Sequence, residues 1–303
     1  MPHCTVIYNP VASRFDNALL VAILERLKDS GYVCSVVKSN RAGAVIPLVR
    51  ERNDKCDLIL TMGGDGTVSE AIQGFSNLEQ HATYAHISMG TTNDVGSNLG
   101  LNPKDPLGSL ELILNGQERY VDYLTVNGNP VFYVSCFGFI TDVPHKTPSV
   151  LKRKLGRAGY VTYFAGTALK HLPRRNAIKV VADGNCFETE GVTVLVTNSE
   201  RVGGIKLLQN IDLGDGLFEL TIIEKLTPNL ARKLFNDYLH DNLDIAAYPE
   251  CLRSLKVKEL TLEFDNAGWN TDLDNDGEEF RLPRKENIKL EYKIAGQIKM
   301  LLP

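Results

Sequence analysis

Leu58-Ile59-Leu60-Thr61-Met62-Gly63-Gly64-Asp65-Gly66-Thr67 decides how this chain folds. Leu58–Met62 is a nearly continuous apolar run, as expected of a strand buried on both faces. A glycine-rich turn follows directly, and then Val68, Ala71, Ile72 and Phe75 recur at helical spacing. A buried strand turning sharply into a helix is half of a parallel strand–helix–strand unit.

The same alternation extends both ways. Upstream, Thr5–Tyr8 reads as a strand and Asp16 or Asn17 caps a helix carrying Leu19, Leu20, Ile23, Leu24 and Leu27, which Gly31 ends. Val33–Val37 is a second strand. Ala44–Arg50 reads as a helix, provided Pro47 lies in its first turn. Downstream, His86–Met89 is a strand and Leu107–Leu114 a helix stopped by Gly116. Residues 1–122 are therefore expected to form a Rossmann-like parallel α/β domain.

The pattern changes near Tyr120. Val121–Val126 and Val131–Ser135 flank Asn127-Gly128, a pair that tolerates the positive φ angles of a tight hairpin turn. Asp183-Gly184 marks a second hairpin. Val192–Thr197, Phe218–Ile223, Leu255–Phe264 and Ile288–Tyr292 read as further strands. Helices are expected near Gly159–His171 and from Thr227-Pro228 to about Leu239. Residues 123–292 should thus form a mainly antiparallel β-sandwich, and the tail at about 293–303 could pack back on the first domain.

Bulk properties exclude several classes. The chain has 303 residues, 43% of them hydrophobic, enough for a sizeable core. A net charge of −4 argues against a general nucleic-acid binder. The six cysteines are scattered without a C-x-x-C pair, which reads as reduced thiols and not as a zinc site. The opening residues do not resemble a signal peptide, and no stretch approaches the roughly 20 apolar residues that span a bilayer. A cytoplasmic protein, soluble or peripheral to a membrane, is expected.

The chemistry concentrates at Gly63–Thr67. Phosphate binding needs close approach of backbone N–H groups, which glycine permits. The helix that follows adds unsatisfied donors and a positive dipole end. Asp65 is unusual in such a turn, since a carboxylate repels phosphate. It makes sense if Mg2+ lies between them, or if it orients the reacting group; alone it would read as a helix cap. A second turn, Met89-Gly90-Thr91-Thr92-Asn93-Asp94, ends the next strand. In a parallel sheet it lies beside the first, at the edge where ligands bind. Thr91 can donate to phosphate, and Asn93 can bond Glu70 or the nucleotide.

Gly-Gly-Asp-Gly-Thr with Glu70, followed by Gly-Thr-x-Asn-Asp, resembles the catalytic domain of diacylglycerol kinases and their relatives, the sphingosine kinases and bacterial lipid kinases. Tyr8-Asn9-Pro10, Asp122-Tyr123, Phe137–Asp142 with Lys154-Leu155-Gly156 and Tyr160, Asp215-Gly216-Leu217-Phe218 and Asp276-Gly277-Glu278 resemble further family segments, in family order. The resemblance implies an ATP- and Mg2+-dependent kinase acting on a membrane lipid, most like the soluble bacterial diacylglycerol kinases. It implies that Asn9, Gly63, Gly64, Asp65, Gly66, Thr67, Glu70, Gly90, Thr91 and Asn93 surround ATP, with Lys38 or Ser39 near the nucleotide. It implies that Asp276 and Glu278 receive the lipid hydroxyl proton. Asp215, the Leu217 carbonyl and Asp212, by side chain or carbonyl, would hold a structural Mg2+ coupled through water to Asp122.

Two features depart from the family pattern. Val11-Ala12-Ser13 stands where a glycine often follows Asn9-Pro10. Further acids, Asp272 and Asp274, precede Asp276 and imitate the start of an EF-hand loop. That loop would need glutamate at its twelfth position, where Pro283 stands.

Lys146, Lys152, Arg153, Lys154 and Arg157, with Lys170, Arg174 and Arg175, form a local basic excess. It is either a solvated face or a dock for anionic lipid, at about 1 kcal/mol per residue near the surface. An exposed edge strand could mediate a homodimer. Two other readings compete: an NAD kinase, which shares the Gly-Gly-Asp-Gly-Thr turn, and a nucleotide-binding regulator without catalysis.

Overall fold

A computed structural model describes residues 1–139, 175–239, 247–249 and 251–303. The expected helix near Gly159–His171, the family segment from Ile140 to Tyr160 and the basic residues from Lys146 to Arg174 lie outside the described residues.

Four parallel strands open the chain, β1 (His3–Tyr8), β2 (Val33–Lys38), β3 (Leu58–Gly63) and β4 (Thr83–Ser88), in spatial order β2-β1-β3-β4. Every residue of β3 and β4 is buried, which explains their apolar composition. Between them run α1 (Asn17–Asp29), α2 (Val45–Arg52) and α3 (Asp65–Phe75). Asp16 caps α1 by accepting from the Ala18 amide, and Leu20, Ile23 and Leu27 turn to the core. Pro47 falls in the first turn of α2, where its missing N–H costs nothing. After β4 come the short α4 (Asp94–Asn98) and α5 (Pro106–Leu114), the latter capped by Asp105.

β5 (Gln117–Val126) turns at Asn127 and Gly128, both at positive φ, into β6 (Asn129–Val131). The expected return strand, Val131–Ser135, is divided. β6 stops after three residues, and β7 (Val134–Gly138) belongs to a different sheet. The chain crosses between sheets at Phe132-Tyr133. The apolar sequence is continuous there, so only the capture of those amides by a distant side chain, described below, marks the crossing.

The remainder is mostly antiparallel. It comprises β8 (Asn176–Ala182), β9 (Asn185–Gly191), β10 (Thr193–Thr197), β11 (Arg201–Val202), β12 (Ile205–Lys206), β13 (Phe218–Ile223) and α6 (Pro228–Leu239). β14 (Leu252–Val257), β15 (Glu259–Asp265), α7 (Asn266–Trp269), β16 (Leu273–Asn275), β17 (Glu278–Phe280) and β18 (Asn287–Leu302) follow. The expected strand Leu255–Phe264 is two strands in two sheets. Asp183 accepts from the Lys258 and Glu259 amides at 3.0 and 2.9 Å and fixes the corner.

One sheet continues from β4 through β18, β15 and β8 to β9, with β5 also on β18; the other runs β14-β13-β10-β7-β16-β17. Phe137 on one sheet stacks on Phe264 of the other at 4.6 Å, with Trp269 edge-on. β18 ends beside the parallel strands, with Met300 opposite Tyr84 of β4. The C-terminal residues therefore close one side of the first sheet. No described helix is long and apolar enough to cross a membrane.

Candidate active site

The turns after β3 and β4 lie against each other. The Met89 amide donates to the Gly63 carbonyl at 2.6 Å. A Cβ added to Gly90 would lie 2.6 Å from the Gly64 Cα. No side chain fits at that contact, so these two glycines are fixed by packing as well as by any ligand. Gly66, by contrast, is exposed with open space about its Cα.

Asp65 ties the two turns together. Its Oδ1 accepts from the Val95 amide at 3.0 Å, and the Asn93 and Asp94 amides also favour its charged form. Burial outweighs those bonds and pushes its pKa above the usual carboxylate range. The carboxylate thus caps the neighbouring helix α4. Asn93 adopts the left-handed conformation, and its side-chain amide closes onto Gly90, accepting from N–H at 2.7 Å and donating to C=O at 2.8 Å.

Of the two partners expected for Asn93, Glu70 is engaged elsewhere. Glu70 does not meet Asn93; it accepts from the Gly43 and Val45 amides at 2.8 and 3.0 Å, satisfying the start of α2. Asn9 accepts from the Val11 amide at 3.1 Å and holds the first loop in a tight turn. That loop brings the Ser13 hydroxyl to the Thr91 hydroxyl, 3.2 Å away. Ser39 is bonded through both N–H and hydroxyl to the Tyr8 carbonyl, while Lys38 ends β2 exposed. Gly63–Thr67, Gly90–Asn93, Asn9 and Ser39 thus share the C-terminal edge of the parallel sheet.

The Asp276–Glu278 segment reaches this edge from the other half of the chain. Asp276 and Gly277, both at positive φ, form the turn between β16 and β17. Asp276 is buried, and its carboxylate accepts from the Phe132 amide at 2.8 Å, Tyr133 at 3.0 Å and Val134 at 3.1 Å. A fourth donor is the Ser69 hydroxyl of α3, at 3.1 Å. Burial pushes the Asp276 pKa up to about 6, against the pull of those four donors. Glu278 lies two residues on and is exposed.

The residues expected around a structural ion occupy a separate loop. Asp122 is fully buried and accepts from the Gly216 amide at 2.6 Å and the Gln297 side chain at 2.9 Å. Asp212 accepts from Gly214, and Asp215 from Leu217. The other Asp215 oxygen meets the Lys256 ammonium at 2.5 Å, with Glu219 3.8 Å from the same ammonium. Among the described residues no three acidic, histidine or cysteine side chains converge closely enough to hold an ion. As arranged, Asp212, Asp215 and Asp122 brace the loop through these bonds, and Lys256 is the cation beside Asp215.

Sequence reasoning missed Ser69, Tyr133, Asp94 and the Glu219–Lys256 pair as members of these sites. Asp94 stood within the quoted second turn; it binds the Gly204 amide through both oxygens, at 2.8 and 2.9 Å. Ser69 sits between two residues of the first motif but makes its bond to a partner 207 positions away.

Residues 3–126, which contain both turns, match the family model of the diacylglycerol kinase catalytic domain. A diacylglycerol kinase of Bacillus subtilis (strain 168) is 32% identical over 228 residues, covering 74% of this chain and 75% of that protein. The chain belongs to the diacylglycerol kinase family. Diacylglycerol kinase of Staphylococcus aureus (strain JH9) is 31% identical over 73% of this chain and 70% of its own length. The fold agrees with a solved diacylglycerol kinase structure from Bacillus anthracis str. Sterne, at a TM-score of 0.75 and 23% identity over 100% of this chain and 97% of that one. A second structure from the same organism gives a TM-score of 0.80 at 24% identity, with the same coverage. As a member of the family the chain is a lipid kinase that uses ATP.

Proposed function

We propose that this kinase transfers the γ-phosphate of ATP to the free hydroxyl of diacylglycerol, giving phosphatidic acid. The supporting observation is that Ser69, on the helix that follows the glycine turn, donates to Asp276 from the β half of the chain. That bond joins the helix behind the glycine turn to a buried carboxylate whose pKa, about 6, lies near working pH.

In this reading residues 1–122 bind nucleotide and residues 123–292 present the lipid. ATP arrives with Mg2+, and the amides of Gly63–Thr67 and the Ser13 and Thr91 hydroxyls hold its phosphates. Phosphoryl transfer needs alignment and charge neutralisation more than covalent help. Asp276 takes the alcohol proton as the new O–P bond forms and ADP leaves. A carboxylate with a pKa of about 6 is mostly ionised at neutral pH, yet basic enough to accept that proton. The alcohol displaces the Ser69 hydroxyl from Asp276, one O–H donor for another. Glu278, at the open side of the turn, passes the proton to water.

The acceptor stays in the bilayer. The basic residues Lys152, Arg153, Lys154 and Arg157 are therefore proposed to dock the protein on anionic lipid, and vesicle sedimentation that ignores salt would remove that part. Edge strand β2 is proposed to pair between two copies, to be tested by analytical ultracentrifugation.

The deciding experiment supplies labelled ATP with a lipid extract, pure diacylglycerol, a sphingoid base or NAD, and identifies the product. Labelled phosphatidic acid is expected. A labelled sphingoid phosphate or labelled NADP in its place would overturn the assignment.

A further inference from the structure

Tyr133 lies at the crossing from β6 to β7, and no motif assigns it a role. Its N–H donates to Asp276 at 3.0 Å and its carbonyl accepts from the Asn198 amide at 3.1 Å, so its backbone is held on both sides. The ring is 8% exposed and packs into the core beneath the parallel sheet.

The hydroxyl is different. It has no hydrogen-bond partner among the described residues, and it is not one of the polar atoms sealed from solvent. Buried phenols normally find an acceptor. Tyr84 and Tyr292 of this protein do so, each pairing with a hydroxyl, on Thr61 and Ser135. The Tyr133 phenol instead lies within reach of the charges of Asp65, Asp276, Asp94 and Asp274. Burial first, and then those carboxylates, hold its pKa well above the usual value, so it carries its proton at every working pH. The carboxylates around it can only accept.

We propose that the Tyr133 hydroxyl donates a hydrogen bond to the oxygen of the lipid alcohol and so orients it for attack. An alcohol oxygen has one proton and two lone pairs. Its proton goes to Asp276, one lone pair accepts from Tyr133, and the other is left to form the O–P bond as the bond to ADP breaks. Two fixed contacts leave that oxygen one direction in which to react. This inference rests on the lipid-kinase reading above.

The test is Tyr133→Phe, which removes one oxygen and keeps the ring. Labelled ATP is supplied with diacylglycerol in phosphatidylglycerol vesicles, and Tm is measured on the same preparation. Loss of a neutral hydrogen bond predicts kcat/KM for the lipid lower by about tenfold. KM for ATP and Tm should be unchanged. A variant that simply folds badly would lose Tm and affinity for ATP together with lipid transfer, and that joint loss would overturn the proposal. So would undiminished lipid transfer. Absence of lipid phosphorylation by the parent protein would remove the lipid-kinase reading as well, which separates the two failures.

Discussion

Ser69 and Asp276 meet through a hydroxyl–carboxylate bond of 3.1 Å, although 207 positions separate them in the chain. It links the helix behind the glycine turn to the hairpin that carries the proposed base. If Ser69 yields its place to the lipid alcohol, Ser69→Ala should leave kcat within about threefold of the parent and lower stability by about 1 kcal/mol. Asp276→Asn should lower kcat by more than about a hundredfold. Because Asn also donates where four donors already point, the variant's Tm must be measured beside its rate. A rate for Asp276→Asn near the parent's would end Asp276's role as base.

The pH dependence follows from the same carboxyl. Its folded pKa is about 6, raised from 3.8 by burial. Activity requires the ionised form, so kcat should rise with pH through about 6 and level off above it. Stability runs the other way. The folded state binds the proton more tightly than the unfolded chain, so this group's contribution is present below about pH 4 and lost as pH rises through 6. The difference approaches about 3 kcal/mol. His86 opposes this trend: burial depresses its pKa to about 3, so its contribution is present above pH 6.5 and lost on acidification. A pH–rate profile shows Asp276 free of that opposition, and a flat profile between pH 5 and 7 would refute the assignment.

Gly90 and Gly66 should fail differently. A Cβ at Gly90 would sit 2.6 Å from the Gly64 Cα and 2.9 Å from the Asn93 side-chain oxygen, and the first of these is backbone that cannot swing aside. Gly90→Ala should lower stability by about 1–3 kcal/mol and spoil the second turn. At Gly66 nothing lies within 4 Å, so Gly66→Ala should fold normally. Its methyl would still stand where phosphate must approach, raising KM for ATP. Equal loss of Tm in the two variants would contradict this division.

The parts of the fold that were legible in the sequence are those with local causes. β3 showed as an apolar run, α1 as a helical repeat with a cap, and the Asn127-Gly128 turn as two residues suited to positive φ. What escaped was decided at a distance. Nothing near Val131–Ser135 shows that three of its amides belong to Asp276. Nothing near Lys258 shows that Asp183 turns the chain between sheets. The site divided in the same way: the glycine turns announced themselves, whereas Ser69 and Tyr133 matter only through where β16 and β17 bring Asp276. Glu70 was one expected partner of Asn93 because the two turns adjoin at the sheet edge; its bonds go instead to the start of α2.

The Glu219–Lys256 pair gives the last prediction. The two are direct cross-strand neighbours on β13 and β14. Burial pushes the Glu219 pKa up to about 7, with Lys256 pulling it down and Asp215 pushing it up. One Glu219 oxygen is buried with no partner. Its ionised form is therefore disfavoured in the folded state, and its contribution to stability, present below about pH 4.5, is lost as pH rises through 7. Glu219→Gln keeps the shape without the charge, so it should match the parent at pH 4.5 and become more stable than the parent by pH 8. Lys256→Met should act in the opposite direction at pH 8, since it leaves Asp215 and Glu219 facing each other without a cation. If Mg2+ is the cation at this loop, millimolar Mg2+ would raise the parent's Tm and EDTA would lower it. With Lys256 in that place, the parent's Tm should ignore both, and only Lys256→Met should gain stability from Mg2+. Thermal melts of three proteins at two pH values, with and without the ion, decide between the two arrangements.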